Sequence, residues 1–338
     1  MDAVSSHSSR AVSRIVIIWN AYLSWMAEEL DEQIEDIMAV RDYLICFGYE
    51  VTDVCLLDSV RKSVFDAGFD PSEWLILNMA TGYTNVFAEQ EVVIKELEMM
   101  QYVFTGPGSR VVSTCRNKGL IRDQLSRNGI RVPPGMLVAA PRNVNWNRFP
   151  AIVKPIGQHC SIGINNDSLV FNRTELKRQL ERHYEGFRAP MVIEEFIEGR
   201  EFTVSVWGNV VPEVLPPVEL DFSAFKNPRE RILTFRHKFR YFDDKEPYVY
   251  YLFPAMLEIG DLATIQEECM KAYLAADCRD YARLDLRYRD GKVYFIDINP
   301  KPDLEPDSTF AMTTQSAGIE YGYMLARLID LAKDRWSH

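Results

Sequence analysis

Hydrophobic positions in the first hundred residues alternate between strand-like and helical spacing. A continuous apolar run at 14–19 predicts a parallel strand that is covered on both faces. Two further strands are predicted at 49–54 and 74–77, followed by a helix over 92–100. This β–α–β order predicts an open α/β domain over residues 11–105. Between the first two strands, apolar residues recur at helical spacing as far as Gly48, at Ile34, Ile37, Met38, Val40, Leu44 and Ile45.

A second pattern, over 281–300, alternates charged and apolar residues along two strands that are joined at Asp290-Gly291. Two carboxylates, an amide oxygen and a guanidinium converge on its polar face. Oxygen ligands suit Mg²⁺, which keeps waters and shares its coordination with substrate phosphates. An ordinary hairpin with a solvated face is the structural alternative. The polar face carries Arg283, Asp285 and Arg287 on the first strand and Asp297 and Asn299 on the second, with Leu284, Leu286, Ile296 and Ile298 opposite.

A loop near the middle of the chain has the composition of a phosphate-binding segment. The short apolar strand that begins at Phe149 leads to Lys154, and the following loop contains Gly157, Ser161 and Gly163. Glycines allow a backbone to approach phosphate closely, and a neighbouring ammonium adds positive charge. A lone Lys-Pro after a strand carries little information by itself.

Two more segments carry charged residues at positions suited to a ligand. Glu194 and Glu195 end a predicted strand, where ligand contacts are common, although solvated strand-end acids are an equal alternative. Lys118 lies on a predicted helix, and a lysine on a helix is usually a solubilising charge. The apolar positions Leu120, Ile121 and Leu125 mark the predicted buried side of that helix.

Composition limits the function classes that are open to the chain. At 338 residues and 47% hydrophobic content, it can bury the cores of two or three domains. The net charge of −11 argues against a nucleic-acid or membrane-surface partner. No apolar run reaches the length of a membrane span. The six cysteines lack a CxxC or metal-like spacing, which predicts reduced thiols and a cytoplasmic location.

The predicted division of the chain has four parts. A polar, Ser-rich tail (1–10) is expected to be disordered and precedes the α/β domain of 11–105. Two subdomains follow, at 106–193 and 194–338, and an aromatic, charged segment at 222–252 is predicted to be a structureless lid or a surface insertion. The final helix has one apolar stripe, formed by Leu325, Leu328, Ile329 and Ala332.

In this order and spacing, these segments resemble the ATP-grasp superfamily, and within it the D-alanine–D-alanine ligase branch. The resemblance covers residues from about Ile15 to Lys333. It implies an ATP-grasp fold, with an N-terminal Rossmann-like α/β domain and two α+β subdomains that sandwich ATP. It also implies that ATP phosphorylates a carboxylate and that an amine then displaces phosphate, giving an amide, ADP and phosphate. The implied cofactors are ATP and Mg²⁺, taken as two ions.

For the nucleotide, the resemblance implies roles at single positions. Lysines hold the ATP phosphates, a flexible loop covers them, acidic residues bind the base and the ribose, and one more lysine neutralises phosphate beneath the lid. These positions are Lys118, Lys154, the loop with Gly157, Ser161 and Gly163, then Glu194, the backbone of Glu195, Phe196 and Ile197, Glu201, and Lys238.

For metal and reaction chemistry, Asp285, Asp297 and Asn299 match the Mg²⁺ ligands. Arg283 matches the arginine that stabilises the tetrahedral intermediate, and the resemblance groups Ser161 and Lys238 with it as catalytic. The second substrate's carboxylate is assigned to Ser308.

The acceptor region departs from the family pattern. The loop position that is Ser in those ligases is Cys160, a weak hydrogen bonder, and a lid Tyr is replaced by Phe239. A glutamate beside the first amino acid has no clean counterpart, since only Asp31 or Glu32 is nearby in the sequence. Asp303 replaces a Gly of the family and suits a substrate that bears an amine or guanidine.

The sequence therefore predicts an ATP-dependent carboxylate–amine ligase acting on amino-acid-like substrates. Two alternatives stay open: a cell-wall D-alanine–D-alanine ligase and a nucleotide-binding regulatory module without turnover. The intact Arg283, Asp285, Asp297 and Asn299 argue against the module.

One metal ligand also departs from the family pattern. Asp297 stands where the family has Glu, so its carboxylate reaches one methylene less far. The oligomeric state is open, with a homodimer as one candidate.

Overall fold

The computed structural model describes residues 14–23, 25–86, 89–142, 144–157, 161–234 and 248–336. The chain groups into two compact units. One contains the residues up to Ser109 together with those from Asp303 onward, and the other is Arg110–Pro302. Among the described residues, no helix is long and apolar enough to cross a membrane.

The first unit contains a three-stranded parallel sheet in the order β2-β1-β3. Its central strand is buried along nearly its whole length, as the continuous apolar run predicted, so the predicted open α/β arrangement is confirmed. The elements are β1 (Arg14–Trp19), α1 (Ala27–Cys46), β2 (Glu50–Cys55), a π-helical turn (Arg61–Phe65), β3 (Trp74–Asn78) and α2 (Gln90–Met99).

The buried face of α1 is narrower than the sequence pattern indicated. Ile37, Val40 and Leu44 are buried, and their spacing defines one stripe along the helix. Met38 and Ile45 were expected to be on the same face, but both are nearly half exposed. That part of the prediction is wrong, because each stands one position beyond a buried residue and is rotated by about 100° from it.

The last two helices, α7 (Thr309–Ser316) and α8 (Tyr321–Trp336), belong to the first unit. Their placement differs from the predicted division, in which 194–338 formed a single subdomain. Helix α8 packs on α1, with ring pairs Tyr43–Tyr321 and Phe47–Tyr323 at centroid distances of 5.1 and 4.9 Å. All four residues of the predicted apolar stripe are buried, which confirms the stripe: Leu325, Leu328, Ile329 and Ala332.

The second unit begins with two short helices and a four-stranded antiparallel sheet in the order β4-β7-β5-β6. Helix α5 covers one face of this sheet, and Leu176 and Leu180 from the helix join its core. The elements are α3 (Ser109–Arg116), α4 (Lys118–Arg127), β4 (Gly135–Val138), β5 (Ala151–Pro155), β6 (Leu169–Val170), α5 (Arg173–Phe187) and β7 (Met191–Glu195).

The larger sheet of the second unit has the order β11-β10-β8-β12-β13, and β9 pairs with β8. Helix α6 packs on one face and contributes Ile265, Cys269 and Tyr273 to a fully buried core. The opposite face carries the polar residues of the predicted site. The elements are β8 (Arg200–Trp207), β9 (Glu213–Val214), β10 (Val218–Asp221), β11 (Tyr250–Leu252), α6 (Ile259–Ala275), β12 (Tyr281–Arg289) and β13 (Lys292–Asn299).

The predicted lid segment, 222–252, has regular structure at both of its described ends. Pro228–Glu230 forms a 3₁₀ turn, and Tyr250–Leu252 is the edge strand β11, which pairs with β10. The expectation of a structureless segment is therefore wrong for these parts. Residues 235–247, which include the predicted Lys238 and Phe239, lie outside the described residues.

Candidate functional site

The β12–β13 hairpin brings the predicted metal ligands together. Asp285 stands opposite Asp297, and Arg283 stands opposite Asn299. The guanidinium of Arg283 donates to both carboxylate oxygens of Asp285, at 3.1 and 3.2 Å. Asn299 Nδ2 and Thr203 Oγ1 donate to the same carboxylate, at 3.1 and 2.8 Å. The hairpin thus forms one polar cluster with a fixed orientation of Asp285.

A β-bulge in β13 changes which residues face this cluster. The register passes from Asp285 opposite Asp297 to Leu286 opposite Phe295, so Ile296 is an extra residue in its strand. Strict alternation would place Phe295 on the face of Asp297, whereas Phe295 is buried in the core together with Ile298. Ile296, predicted to lie with Ile298, is only partly buried. That expectation is wrong because the bulge shifts the alternation by one residue.

The donor set of the hairpin fits magnesium that also binds phosphate. No group of three His, Cys, Asp or Glu side chains that could hold a metal occurs within the described ranges. Two carboxylates and an amide oxygen do not make an all-protein cage. They suit a hard cation that takes its remaining ligands from water and substrate phosphates. Asp285, Asp297 and Asn299 therefore remain the candidate ligands.

The predicted phosphate lysine of β5 is part of a buried ionic network. Lys154 Nζ donates to Glu194 Oε2 at 2.7 Å, and Arg122 forms an ion pair with the other carboxylate oxygen. Burial by itself would raise the pKa of Glu194, but the charges and hydrogen bonds of Lys154 and Arg122 outweigh it and lower that pKa. The network keeps an ionised carboxylate and an ammonium inside the unit. Sequence reasoning missed Arg122, although it stands one helical turn after Lys118.

Gly135 makes room for the arginine of this network. It stands opposite Glu194 in the β4–β7 pair. A Cβ at this position would lie 2.6 Å from Nη2 of Arg122 and 2.7 Å from the carbonyl oxygen of Ile193. Arg122 Nη2 also donates to the Pro133 carbonyl at 2.7 Å. A side chain at position 135 would therefore displace the guanidinium from Glu194.

Lys118 is the first residue of α4, and its backbone is tied to the segment that follows Lys154. Asn117 caps the helix by accepting hydrogen bonds from the amides of residues 119 and 120, and the Lys118 amide donates to the Ile156 carbonyl at 3.3 Å. The two predicted phosphate lysines thus belong to neighbouring segments. Leu120, predicted to be on the buried side, is 53% exposed, so that expectation is wrong. The predicted Ile121 and Leu125 are buried.

The predicted phosphate loop is described at both ends. Ser161 has a positive φ of 59°, and its hydroxyl donates to the Leu233 carbonyl at 2.9 Å. Gly163 has φ of 79°, and a Cβ at this position would lie 2.7 Å from Cζ of Phe187, so a side chain there would be strained. Around Gly157, a Cβ would meet no atom within 4 Å. Residues 158–160, including the predicted Cys160, lie outside the described residues.

In the predicted base-binding segment, 195–197, most of the backbone amides already donate hydrogen bonds within the protein. The Glu195 amide donates to the Pro134 carbonyl at 2.8 Å, and the Phe196 amide donates to the Pro150 carbonyl at 2.9 Å. The side chains of Phe196 and Ile197 are buried, with 9% and 2% exposed. These bonds fix the path of the segment and engage two of its three amide donors.

The predicted ribose ligand, Glu201, is buried in an ion pair with Arg287 of the neighbouring strand. Arg287 was noted on the polar face of the hairpin but was given no role. Its cross-strand position opposite Glu201 depends on the β8–β12 register, which local sequence does not specify. Glu195, by contrast, pairs with Arg148 at 3.4 Å at a more exposed position.

The predicted substrate residues of the first unit are mostly exposed. Asp31 and Glu32 lie on the exposed side of α1, and Asp303 is exposed. Within the described parts of the chain, Asp303 makes no hydrogen bond or ion pair. The Ser308 hydroxyl is the N-cap of α7 and accepts a hydrogen bond from the Ala311 amide at 3.2 Å. This cap is a structural role that the sequence analysis did not predict.

A further carboxylate of α1, Asp36, lies among other acids of the first unit. Its pKa is raised to about 6, first by burial and then by the charges of Asp307, Glu32 and Glu35. This part of the first unit therefore carries an excess of negative charge, which would favour a cationic partner. Sequence reasoning missed Asp36, which stands one turn after Glu32.

Replacing Asp36 by Asn is expected to increase the free energy of unfolding at neutral pH. Because the folded-state pKa of about 6 exceeds the ordinary value of 3.8, ionisation of Asp36 destabilises the fold as the pH rises between those values. Solvent screening of this partly exposed group limits the gain to on the order of 1 kcal/mol or less.

Thermal unfolding at about pH 4.5 and about pH 7.5 checks this expectation. The gain should be present at the higher pH and small at the lower one. Asp42→Asn, which removes a carboxylate from an exposed position of the same helix, is the matched control. An equal shift of the melting temperature at both pH values would contradict the assignment.

The family model described as D-ala D-ala ligase C-terminus matches residues 137–330. The chain belongs to this family. It is therefore an ATP-grasp ligase of the type that forms carbon–nitrogen bonds, and the predicted resemblance is confirmed. The matched region extends from β4 to α8 and contains the β12–β13 hairpin, whereas Lys118 and α1 precede it.

The similarity to curated relatives is distant in sequence. The chain is 26% identical over 298 residues to the uncharacterized protein y4sG of Sinorhizobium fredii, covering 88% of this chain and 84% of that protein. It is 27% identical over 255 residues to D-alanine–D-alanine ligase A of Bacillus cereus, covering 72% and 76%.

A solved structure of the family supports the fold assignment. The crystal structure of the D-alanine–D-alanine ligase of Bacillus anthracis complexed with ATP superposes with a TM-score of 0.71. The superposition covers 95% of this chain and 97% of that one, at 19% sequence identity. At this identity the similarity establishes the ATP-grasp fold, and the substrates of this chain require separate arguments.

Proposed function

We propose that this ligase joins two amino-acid-like substrates through an acyl phosphate and releases ADP and phosphate. The observation that carries the proposal is the polar cluster of the β12–β13 hairpin, where Arg283, Asp285, Asp297 and Asn299 converge. Phosphoryl transfer depends on positioning and charge neutralisation more than on a protein nucleophile. The cluster offers both, since it combines oxygen ligands for a cation with a guanidinium for developing negative charge.

In this proposal, the oxygens of Asp285, Asp297 and Asn299 hold magnesium. Two bound ions would neutralise the charge of the ATP phosphates. Two hydrogen bonds to Asp285 hold the Arg283 guanidinium in place, where it would stabilise an oxyanion. The fixed orientation of Asp285, through three donors, reduces the reorganisation that the reaction requires.

Lysines of the second unit supply positive charge for the phosphates. Lys154 is buried and held by Glu194, while Lys118 lies at the N-terminal end of α4, where backbone amides favour anions. Ser161 and the predicted Lys238 would act at the same phosphates. Because the whole chain has a net charge of −11, this local positive charge is needed for nucleotide binding.

For the substrate, we propose that one amino-acid-like molecule carries an amine or guanidine group. Asp303 is exposed and lies four residues after the candidate ligand Asn299. D-Alanine is the alternative substrate, because several curated relatives are named D-alanine–D-alanine ligases. A cytoplasmic location and a homodimer stay predictions from the sequence.

Phosphate release from ATP, measured across a panel of amino acids with mass analysis of the products, tests the function. We expect an amide product with stoichiometric ADP, and the largest rates with basic amino acids. Stoichiometric AMP would contradict the acyl-phosphate mechanism. ATP binding without turnover for any substrate would favour the regulatory alternative. A marked preference for D-alanine would favour the alternative of a cell-wall D-alanine–D-alanine ligase.

Replacing Asp303 by Gly is expected to weaken the reaction with a basic substrate and to relax selectivity toward alanine. Losing a contact between opposite charges typically costs a few kcal/mol, or roughly a hundredfold in kcat/KM. The kcat/KM values for a basic and a neutral amino acid measure the change. Asp303→Glu, which keeps the charge, is the matched control and should retain part of the preference. An unchanged substrate profile in Asp303→Gly would show that this residue does not select the substrate.

A further inference from the structure

We propose that Arg287 is a positioning residue that fixes the Glu201 carboxylate for the ribose of the nucleotide. This inference rests on the proposed function and on the role of ribose ligand that the family resemblance implies for Glu201. Arg287 belongs to β12 and stands opposite Glu201 of β8. Their side chains form an ion pair and are only 6% and 7% exposed.

The guanidinium of Arg287 has further partners that restrict its orientation. Its Nη1 donates to the Gly199 carbonyl at 3.2 Å, and its Nη2 donates to the Arg231 carbonyl at 2.9 Å. Gly199 lies in the turn before β8, and Arg231 follows the 3₁₀ turn of the segment after β10. One side chain therefore links β12 with the segments that precede β8 and follow β10.

Aromatic rings enclose the same guanidinium. Its central carbon lies 4.8 Å from the ring centroid of Phe196 and 5.5 Å from that of Phe222. Such stacking on a desolvated cation is favourable and selects one plane for the group. Together with the ion pair and the two carbonyl acceptors, these rings leave the Arg287 side chain little freedom to move. The ion pair with Arg287 therefore restricts the orientation of the Glu201 carboxylate.

Stability alone is a weak reason for this arrangement. Burying an ion pair costs desolvation free energy, and apolar residues of similar size often replace such a pair without loss. The rings of Phe196 and Phe222 would accept a methionine in place of the guanidinium. A requirement for a fixed carboxylate at position 201 explains why a charge is buried here. The two ribose hydroxyls can each donate a hydrogen bond, and a carboxylate can accept both.

A purely structural role predicts different behaviour from a positioning role. If Arg287 only stabilises the sheet, its loss lowers the melting temperature and leaves sugar selectivity unchanged. If it positions Glu201, its loss reduces the preference for ribose over 2′-deoxyribose as strongly as the loss of the Glu201 charge does. The removal of both groups should then cost little more than the removal of either one.

The test compares Arg287→Met, Arg287→Lys, Glu201→Gln and the double variant Arg287→Met/Glu201→Gln in the full-length protein. Calorimetry with ADP and 2′-deoxy-ADP gives the binding ratio, and steady-state kinetics with ATP and 2′-deoxy-ATP separates KM from kcat. We expect Arg287→Met to weaken ADP binding and to raise the KM for ATP by about tenfold or more, with kcat changed far less. Arg287→Lys keeps the charge without the planar fork and should fall between wild type and Arg287→Met.

Arg200→Met is the matched control, since Arg200 also pairs with a glutamate, Glu219, and stacks on an aromatic ring, Phe202, in the same sheet. Its binding ratio for the two nucleotides should equal that of wild type. A wild-type ratio in both Arg287→Met and Arg287→Lys would overturn the inference, and if Arg287→Met does not fold, Arg287→Lys alone decides. Because ADP binding needs no turnover, sugar selectivity that depends on Arg287 in a protein without ligase activity would refute the proposed reaction and leave this inference standing.

Discussion

Replacing Asp297 by Asn is expected to lower kcat by about a hundredfold or more while the protein stays folded. The substitution removes one negative charge from the proposed magnesium site and changes the side-chain volume very little. Asp285, opposite it, is already bonded to Arg283, Thr203 and Asn299. Asp297 is the second carboxylate on the polar face of the hairpin, and we expect no other acid of that face to replace its charge.

The turnover number at saturating ATP, measured as a function of magnesium concentration, checks this result. Excess magnesium should restore part of the activity, because the variant binds the cation more weakly. Asp290→Asn is the matched control, since it makes the same change in the turn of the same hairpin, where Asp290 has a positive φ that Asn tolerates. Near-wild-type turnover in Asp297→Asn would remove Asp297 from the proposed metal site.

Replacing Lys154 by Met is expected to reduce both nucleotide binding and stability, whereas Lys118→Met should reduce nucleotide binding with a smaller loss of stability. Lys154 is one of two cations that pair with the buried Glu194 carboxylate. Its loss leaves Arg122 as the remaining cation, and breaking a buried pair costs roughly 3 kcal/mol. Lys118 is the first residue of α4, whose first amides are capped by Asn117, and the charges that act on Glu194 are those of Lys154 and Arg122.

Equilibrium unfolding in denaturant and the KM for ATP separate these two effects. The pH dependence gives a further check, because the pKa of Glu194 is lowered in the folded protein. The contribution of the network to stability is therefore present above the ordinary pKa of 4.5 and is lost as the pH falls through the lower folded value. Lys154→Met should flatten this acid dependence. Equal stability of the two lysine variants would contradict the structural role of Lys154, and an unchanged KM in both would contradict their role at the phosphates.

Local periodicity was sufficient to predict many elements of this protein. The apolar run of β1, the stripe of α8 and the Asp290-Gly291 turn each depend on residues that are close in sequence, and the structure has all three. The polar face with Asp285 follows from alternation within a single strand. The order and spacing of the motifs also indicated the family, because each motif is a short contiguous segment.

Contacts between distant segments were decided by the tertiary structure. The bulge at Ile296 arises from the pairing of two strands, and no property of the isolated strand predicts that Phe295 turns into the core. The partners of Glu194 and Glu201 lie on other elements, and Arg122 is 72 residues away from Glu194. A buried charge is stable only next to its partner, so folding selects such pairs through register and packing, which the pattern of one segment does not contain.

The assignment of whole elements to the two units was also decided by the tertiary structure. The sequence identified α8 as amphipathic, but its packing on α1 placed it with the first unit and not with the strands that precede it in the chain. An apolar stripe specifies that a helix is buried on one side and leaves its partner open. The sequence by itself thus determined the elements, the chemistry of the hairpin and the family. Only the tertiary structure determined which charges are paired, because that depends on non-local packing.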